Sequence, residues 1–267
     1  MEFLNYSFMQ RAILAGNLVG IMAPTVGVFL NLRRLSLIGH TLSHVALAGV
    51  ALGLFLGFFP VYMAILTSVL AALAVEKLRR DYSDYAELAL AVILAAGLGL
   101  AVILISAAGQ TAGVHSYLFG SISLVGSRDI YTIIPLFIII VLFVAKYYYG
   151  FFFLAFNEQE ARLAGVPVKF LNIIFMVIVS ITVALSIRIV GALLISSLIT
   201  IPVAVGMQIG SSFRQTLLAS IGASLLSVNT GLILSFYLDL APGGTIILLG
   251  VLLLLLIMSG KKLIAAF

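Results

Sequence analysis

The sequence contains no cysteine, and only 9% of its 267 residues are charged. The absence of cysteine excludes disulfide bonds and thiolate metal ligands. Soluble domains carry roughly 25% charged residues, whereas 63% of this chain is hydrophobic. The composition therefore predicts an integral membrane protein rather than a globular enzyme with a large core.

Several motifs that carry enzyme chemistry are also missing. The chain has no G-x-x-x-x-G-K-[ST] phosphate-binding loop, so we do not expect it to bind and hydrolyse ATP by itself. It has no H-E-x-x-H zinc protease motif and no pair of intramembrane aspartates. Ser43 and His44 are adjacent, which points their side chains in different directions on a helix, and no acidic residue is near them in sequence. These absences disfavour an intramembrane hydrolase.

Nine apolar runs cover most of the chain, and crossing about 30 Å of hydrocarbon takes about 20 apolar residues. The runs are 9–32, 35–57, 60–78, 86–107, 130–150, 169–187, 189–208, 215–238 and 244–260. Only short polar stretches separate them, so we predict one transmembrane domain over residues 1–267. Its fold is expected to be all-α with nine membrane-spanning helices. The number falls to eight if 35–57 is a broken re-entrant helix or if 169–208 divides differently.

The chain has a net charge of +5, and its basic residues lie in clusters at the ends of these runs. This distribution is typical of a positive-inside topology and disfavours nucleic acid as a partner. The basic clusters are Arg33/Arg34, Lys77/Arg79/Arg80, Lys146, Arg162/Lys169, Arg214 and Lys261/Lys262. With these clusters in the cytoplasm, the N-terminus lies outside. The segment 115–127 is too short and too rich in glycine to span, and we interpret it as interfacial or re-entrant on the outer side. Arg188 is the exception, because it falls between two runs that meet on the outer face.

Most polar residues in the chain have an ordinary interpretation, but two histidines do not. The acidic residues, among them Glu76 and Asp129, lie almost all at loop boundaries, where we expect solvated charge. His40 and His44 lie inside an apolar run and must find polar partners within protein. At i,i+4 their Cβ atoms are about 5–6 Å apart on one helix face, which suits two imidazoles that bind one cation. Alternatively, both rings hydrogen-bond to neighbouring carbonyls and only pack.

The flanks of this pair resemble a known family. The sequence GVFLNLRRLSLIGHTLSHVALAGVALGL (Gly27–Leu54) is similar to the RR-x-x-x-x-GD-x-L-x-H-x-x-L-x-GVA pattern in permease subunits of bacterial zinc/manganese ABC importers. Further matches follow in order: YLFGSISLV (Tyr117–Val125), FNEQEARLAGVPV (Phe156–Val168), IVGALLISSLITIPVAVG (Ile189–Gly206) and DLAPGGTIIL (Asp239–Leu248). The resemblance extends from about residue 8 to 260.

The resemblance implies the permease fold of type II ABC importers and a set of partners in the bacterial cell membrane. Two permease copies pair, two ATPase subunits dock on the cytoplasmic side, and an extracellular or periplasmic metal-binding protein delivers the ion. No cofactor is expected on this chain; Zn²⁺ or Mn²⁺ is the cargo, and ATP is bound by the partner. By alignment with type II importers, Gly210–Thr216, including Ser211, Ser212, Phe213 and Arg214, is expected to receive the ATPase. The loop that contains Glu158 and Glu160 is expected to add a supporting contact.

One position departs from the family pattern, because aspartate is common where this chain has His40. The resemblance implies that His44 is a metal contact. His40 is not part of the family pattern and is a departure specific to this chain. Two imidazoles favour Zn²⁺, whereas Mn²⁺ lies at the weak end of the affinity series, so zinc is favoured over manganese. We expect a transient site of His40 and His44, with Thr41, Ser43 or water completing the shell. His115 and Asp239 are predicted near the outer face, where they contact the ion or its binding protein.

Two other functions remain open at this stage. A stand-alone secondary transporter or channel for a metal ion would require intramembrane charged relay residues or inverted repeats, and neither is clear in the sequence. The permease of a metal-chelate importer would have a wider pathway without ligands. Neighbouring genes for an ATPase and a metal-binding lipoprotein would favour the metal-ion importer.

Overall fold

Twelve α-helices make up most of the chain that the computed structural model describes, which is residues 6–82, 85–108 and 111–265. They are α1 (Ser7–Leu32), α2 (Ser36–Leu56), α3 (Pro60–Asp81), α4 (Ala86–Ala108), α5 (Thr111–Phe119), α6 (Ser127–Lys146), α7 (Tyr148–Phe156), α8 (Glu158–Leu163), α9 (Val168–Val190), α10 (Ile195–Ile209), α11 (Phe213–Leu238) and α12 (Pro242–Ala265). These ranges contain no strand. Residues 1–5, 83–84, 109–110 and 266–267 of the predicted domain lie outside the described residues.

The all-α membrane fold predicted from the apolar runs is confirmed. Within the described ranges, eight helices are long and apolar enough to cross a membrane, and the remaining run forms the 15-residue helix α10. Helices α1, α2 and α9 are largely buried by protein, whereas α4, α6 and α12 expose most of their apolar surface. Exposed apolar helix faces suit contact with lipid, so the chain is a multi-pass membrane protein.

The helical conformation is interrupted between α9 and α10. Backbone carbonyls of helix α5 accept hydrogen bonds from N–H groups at this interruption. Gly191 adopts φ 89°, and a Cβ at this position would overlap the carbonyl oxygen of Leu118. The N–H of Ala192 donates to the Tyr117 carbonyl at 2.8 Å, and that of Leu193 donates to the Leu118 carbonyl at 3.3 Å. Non-helical backbone is tolerated in a membrane only where protein or water supplies such partners. The segment predicted not to span thus supports a helix break.

Close approaches at glycine hold α2 against the two helices that follow it in the chain, α3 and α4. A Cβ on Gly49 would lie 2.6 Å from the carbonyl oxygen of Met63 on α3. A Cβ on Gly97 of α4 would lie 2.8 Å from a methyl group of Val45 on α2. Small residues allow helix backbones to approach closely in lipid. Helix α2, which carries His40 and His44, is therefore held on both sides by α3 and α4.

The expectation of solvated acidic residues is wrong for Glu76 and Asp129, which are 6% and 2% exposed. Asp129 Oδ2 lies 3.3 Å from Nε of Arg188 and accepts a hydrogen bond from the Gly126 N–H at 2.8 Å. The Arg188 guanidinium also lies 4.8 Å from the ring centroid of Tyr117. A buried charge is tolerated when it is paired with an opposite charge. The pair with Asp129 therefore accounts for Arg188, which lies at the end opposite the basic clusters.

Candidate functional site

The two predicted metal ligands lie together on α2. The rings of His40 and His44 have centroids 4.7 Å apart and are nearly perpendicular, at 86°. His44 is 8% exposed, and His40 is half-buried. The i,i+4 spacing of the sequence therefore brings the two imidazoles side by side, as a helix requires.

The ring of His44 retains an unused polar atom. Its Nδ1 is buried, and no hydrogen-bond partner occurs for it among the described residues. Buried side-chain nitrogens are normally hydrogen-bonded, and neutral imidazole nitrogen is a common metal ligand. The alternative in which both rings only pack against neighbouring carbonyls is not supported at this atom.

Neighbouring side chains supply little further coordination. The Ser43 hydroxyl donates to the His40 carbonyl oxygen at 2.7 Å, and both Ser43 and Thr41 are buried. Among the described residues, no group of three or more His, Cys, Asp or Glu side chains is placed to hold a metal ion. Among the described residues of one chain, the predicted metal site therefore consists of the two imidazoles.

The two residues predicted at the outer face are in separate surroundings. His115 is exposed on α5, and its ring stacks on that of Phe119 with centroids 6.3 Å apart. Asp239 is exposed at the end of α11, where it adopts φ 53°. Its carboxylate borders a cavity of about 310 Å³ that Ser121 and Ser123 also line, whereas His115 does not line it.

The loop predicted to receive an ATPase forms the capped start of α11. The hydroxyl of Ser212 accepts a hydrogen bond from the Gln215 N–H at 3.3 Å, and Ser211 donates its N–H and O–H to Gln215 Oε1 at 3.0 and 2.7 Å. Such caps satisfy the free N–H groups of a helix. Arg214 is exposed, and Phe213 packs between α1 and α7 through rings including those of Phe29, Tyr148 and Phe152.

The other predicted contact loop is tied into the protein. Glu158 is half-buried, and its carboxylate lies 3.1 Å from Arg33, 3.7 Å from Arg162 and 4.0 Å from Arg79. Burial, and to a smaller extent the nearby Arg79, lowers the pKa of Arg33, and Glu158 opposes this shift. Glu160 is exposed and accepts a hydrogen bond from Asn157 Nδ2 at 2.8 Å.

The partners of Glu158 are not predicted from the sequence. Arg33 also donates to Asn172 Oδ1 at 2.9 Å, so the ends of α1, α8 and α9 share one polar cluster. The only signal available in the sequence is that these residues fall at ends of apolar runs assigned to the same side of the membrane. Many residues share this position, so it does not predict which of them form ion pairs with one another.

Comparisons with known proteins cover nearly the whole chain. The sequence pattern of the ABC 3 transport family matches residues 5–261. A probable metal transport system membrane protein of Treponema pallidum is 38% identical over 256 residues, which are 96% of each chain. The zinc uptake membrane protein ZnuB of Haemophilus influenzae is 30% identical over 91% of this chain and 94% of its own length. The manganese transport membrane protein MntC of Listeria monocytogenes is 28% identical over 92% and 88%.

Solved structures with the same fold are also known. PsaBC from Streptococcus pneumoniae in complex with a Fab matches with a TM-score of 0.86 and 27% identity, covering 96% of this chain and 94% of the matched chain. A structure described as an inward-facing metal-chelate type ABC transporter matches with a TM-score of 0.66 and 20% identity, covering 94% and 86%. The second likeness concerns the fold alone. The ABC permease fold expected from the sequence is confirmed.

Proposed function

We propose that this chain, which belongs to the ABC 3 transport family, is the membrane-spanning permease of an ATP-driven importer of a divalent metal ion. The observation that carries the proposal is a match over 96% of both chains to a probable metal transport system membrane protein. Other relatives are named for zinc uptake and for manganese transport. A metal ion as cargo is therefore common to these relatives, whereas the choice of metal is not.

ATP hydrolysis is assigned to a separate subunit, and this chain is a transport component rather than an enzyme. The sequence has no phosphate-binding loop of the Walker type. The proposed assembly contains two copies of this chain, two cytoplasmic ATPase subunits and an external metal-binding protein.

The ion is proposed to pass a transient site formed by His40 and His44. The buried Nδ1 of His44 supports this role, since no described residue forms a hydrogen bond with it and it is available to a cation. Two protein ligands bind an ion weakly, and weak binding suits a pathway, because the ion must leave as well as enter. Ser43 joins the shell only if its hydroxyl releases the His40 carbonyl oxygen; water and Thr41 are the other candidates.

Zinc is the proposed cargo, ahead of manganese. Affinity for sites with nitrogen ligands rises from Mn²⁺ towards the later first-row metals, and imidazole suits Zn²⁺. The two ligating side chains of α2 are both imidazoles. A carboxylate at position 40 would improve the site for Mn²⁺, because hard oxygen ligands suit that ion.

Contacts with partners are proposed at both ends of the bundle. At the outer end, the exposed His115 and Asp239 contact the arriving ion or its binding protein. At the basic end, Ser211, Ser212, Phe213 and Arg214 are proposed to receive the ATPase, because Arg214 is exposed and Phe213 connects this loop to α1 and α7. Glu158 and Glu160 are proposed as the supporting contact, with the exposed Glu160 as its accessible member.

Two alternatives are less well supported. The likeness to a metal-chelate type transporter is compatible with a chelate importer, but a pair of one buried and one half-buried imidazole suits a bare ion better than a large chelate. A stand-alone transporter for a metal ion does not account for a match to an ABC transport family over residues 5–261.

Uptake of zinc and manganese by cells that express the complete transporter tests the proposal. His44→Ala is expected to reduce uptake at least tenfold, and His40→Ala to reduce zinc uptake more than manganese uptake. Ser36→Ala is the matched control, because Ser36 is exposed one turn earlier on the same helix; it should leave uptake unchanged. Normal uptake of both metals by His44→Ala, with wild-type protein levels in the membrane, would contradict the site.

A further inference from the structure

A cavity of about 270 Å³ lies at the basic end of the bundle, between the end of α3, the short helix α8 and the start of α9. Its lining is mainly charged and consists of Glu76, Arg79, Arg80, Glu158, Arg162, Val168, Lys169 and Asn172. We call it the basic cavity. It is separate from the histidine pair on α2 and from the loop 210–216, and the proposed transport function uses it only through Glu158.

Positive charge exceeds negative charge around the basic cavity. Four cations line it, against two carboxylates. Two neighbours outside the lining also take part: Arg33 lies 3.1 Å from Glu158, and Asp81 lies 3.4 Å from Arg80. With these neighbours counted, five cations face three carboxylates. Glu158 forms ion pairs with Arg33, Arg79 and Arg162. Lys169 is exposed and has no ion-pair partner within the part of the chain that the structure describes. The cavity thus carries excess positive charge, which favours the binding of an anion.

Glu76 also holds one of these cations, Arg79, in a fixed orientation. Arg79 donates from Nε and Nη2 to the two oxygens of Glu76, at 3.1 and 3.2 Å. Glu76 itself is 6% exposed. Because Glu76 engages Nε and Nη2, the Nη1 end of the Arg79 guanidinium is the donor that remains for a phosphate oxygen, and its orientation is fixed by the pair. Basic residues that only set the orientation of a protein in the membrane do not need a fixed side-chain orientation of this kind.

Exposed apolar side chains lead from the membrane to the basic cavity. On α3, Leu66, Leu70 and Leu73 are 52%, 59% and 38% exposed, and this stripe continues at helical spacing to Lys77 and Arg80. On α9, Phe170 and Ile173 are 47% and 38% exposed beside Lys169. A ligand with an anionic head and apolar tails fits this order of surfaces, with the head in the cavity and the tails along the helices.

We propose that the basic cavity binds the phosphate headgroup of an anionic phospholipid of the cytoplasmic leaflet, such as phosphatidylglycerol. Basic pockets between transmembrane helices on the cytoplasmic side are suited to anionic headgroups. Arg162 and Lys169 contact the phosphate from the open edge, and Arg79 contacts it from the wall. The acyl chains lie on the leucine stripe of α3. The site does not depend on which ion the protein transports.

Native mass spectrometry of the full-length chain, purified in detergent and given equal amounts of phosphatidylglycerol and phosphatidylcholine, tests the proposal. The wild-type chain is expected to retain phosphatidylglycerol in preference. Each surface cation contributes about fivefold to attraction for an anionic lipid, so Arg162→Gln with Lys169→Gln should weaken retention roughly 25-fold at full effect. The charge-conserving pair Arg162→Lys with Lys169→Arg should retain most of the binding. Both residues are exposed, so these variants are expected to fold.

Lys146→Gln is the matched control, since Lys146 ends α6 and does not line the cavity. Its lipid preference should equal that of the wild type. Equal retention of the two lipids by the wild-type chain, or an equal loss in Lys146→Gln, would overturn the proposal. Displacement of the lipid by millimolar inorganic phosphate would replace it with a site for free phosphate. Unchanged lipid retention combined with loss of ATPase subunit binding in the Gln pair would identify a protein-docking site instead.

Discussion

The carboxylate of Glu158 lies 3.1 Å from the guanidinium of Arg33, although 125 residues separate the two in sequence. Arg33 caps α1 and begins the turn into α2, and Glu158 is the first residue of α8. The pair therefore joins the start of α8 to the turn that leads into α2, the helix that carries the histidines. Because Arg33 has only 9% of its side chain exposed, its charge depends on this partner and on Asn172.

Removing the Glu158 carboxylate should destabilise the protein. Glu158→Gln removes the nearest counter-charge of the buried Arg33 and leaves only the more distant Glu76. We expect a loss of about 1.5–3 kcal/mol, the usual range for a hydrogen bond to a charged group. Thermal unfolding of the purified full-length chain measures the effect. Glu160→Gln removes the same charge from an exposed neighbour and should change stability by less than about 0.5 kcal/mol. Equal effects of the two variants would argue against the pair.

The ion pair at the opposite end should show energetic coupling. Asp129→Asn or Arg188→Gln alone leaves one charge poorly compensated and is expected to cost about 3–5 kcal/mol. The double variant should cost clearly less than the sum of the two single variants, because no unpaired charge remains. A double-mutant cycle by thermal unfolding in detergent gives the coupling. Strict additivity would mean that Asp129 and Arg188 do not stabilise one another.

The helix break after α9 should require glycine. Gly191→Ala places a Cβ against the Leu118 carbonyl oxygen and forces an unfavourable φ of 89°, at a cost of at least about 1–3 kcal/mol. Gly222 lies inside α11 with no atom within 4 Å of an added Cβ. Gly222→Ala should therefore stabilise the chain by about 0.5–1 kcal/mol through helix propensity. Unfolding temperatures that shift in the same direction for both variants would contradict this account of the break.

Position 40 should influence the choice of metal. His40→Asp replaces one imidazole of the pair by a carboxylate, which suits Mn²⁺ better and adds a negative charge beside a dication. We expect the ratio of manganese to zinc uptake to rise about tenfold or more, a difference of about 1.4 kcal/mol in relative binding. Competition between the two metals in cells with the complete transporter measures this ratio. An unchanged ratio, at normal transport rates, would show that His40 does not select the metal.

The amino-acid sequence by itself predicted the elements that depend on local pattern. Each predicted apolar run corresponds to a helix in the described residues, because hydrophobic length is read directly from the chain. The i,i+4 spacing placed His40 and His44 side by side, because helical geometry alone determines that contact. The short outer segment was also expected not to span, and α5 has nine residues.

Tertiary packing decided which distant groups meet. Asp129 looks like a solvated loop charge in sequence, yet it is buried against Arg188. Glu76 is also buried, although its partner Arg79 is only three residues away on the same helix. For Asp129 the partner is 59 residues away, and for Glu158 the nearest arginine is Arg33. The pairing follows from how α1, α6, α8 and α9 pack, and no periodicity within one helix specifies it. The sequence therefore determined the helices and the histidine face, whereas the fold determined the charge pairs, the supported break at Gly191 and the basic cavity.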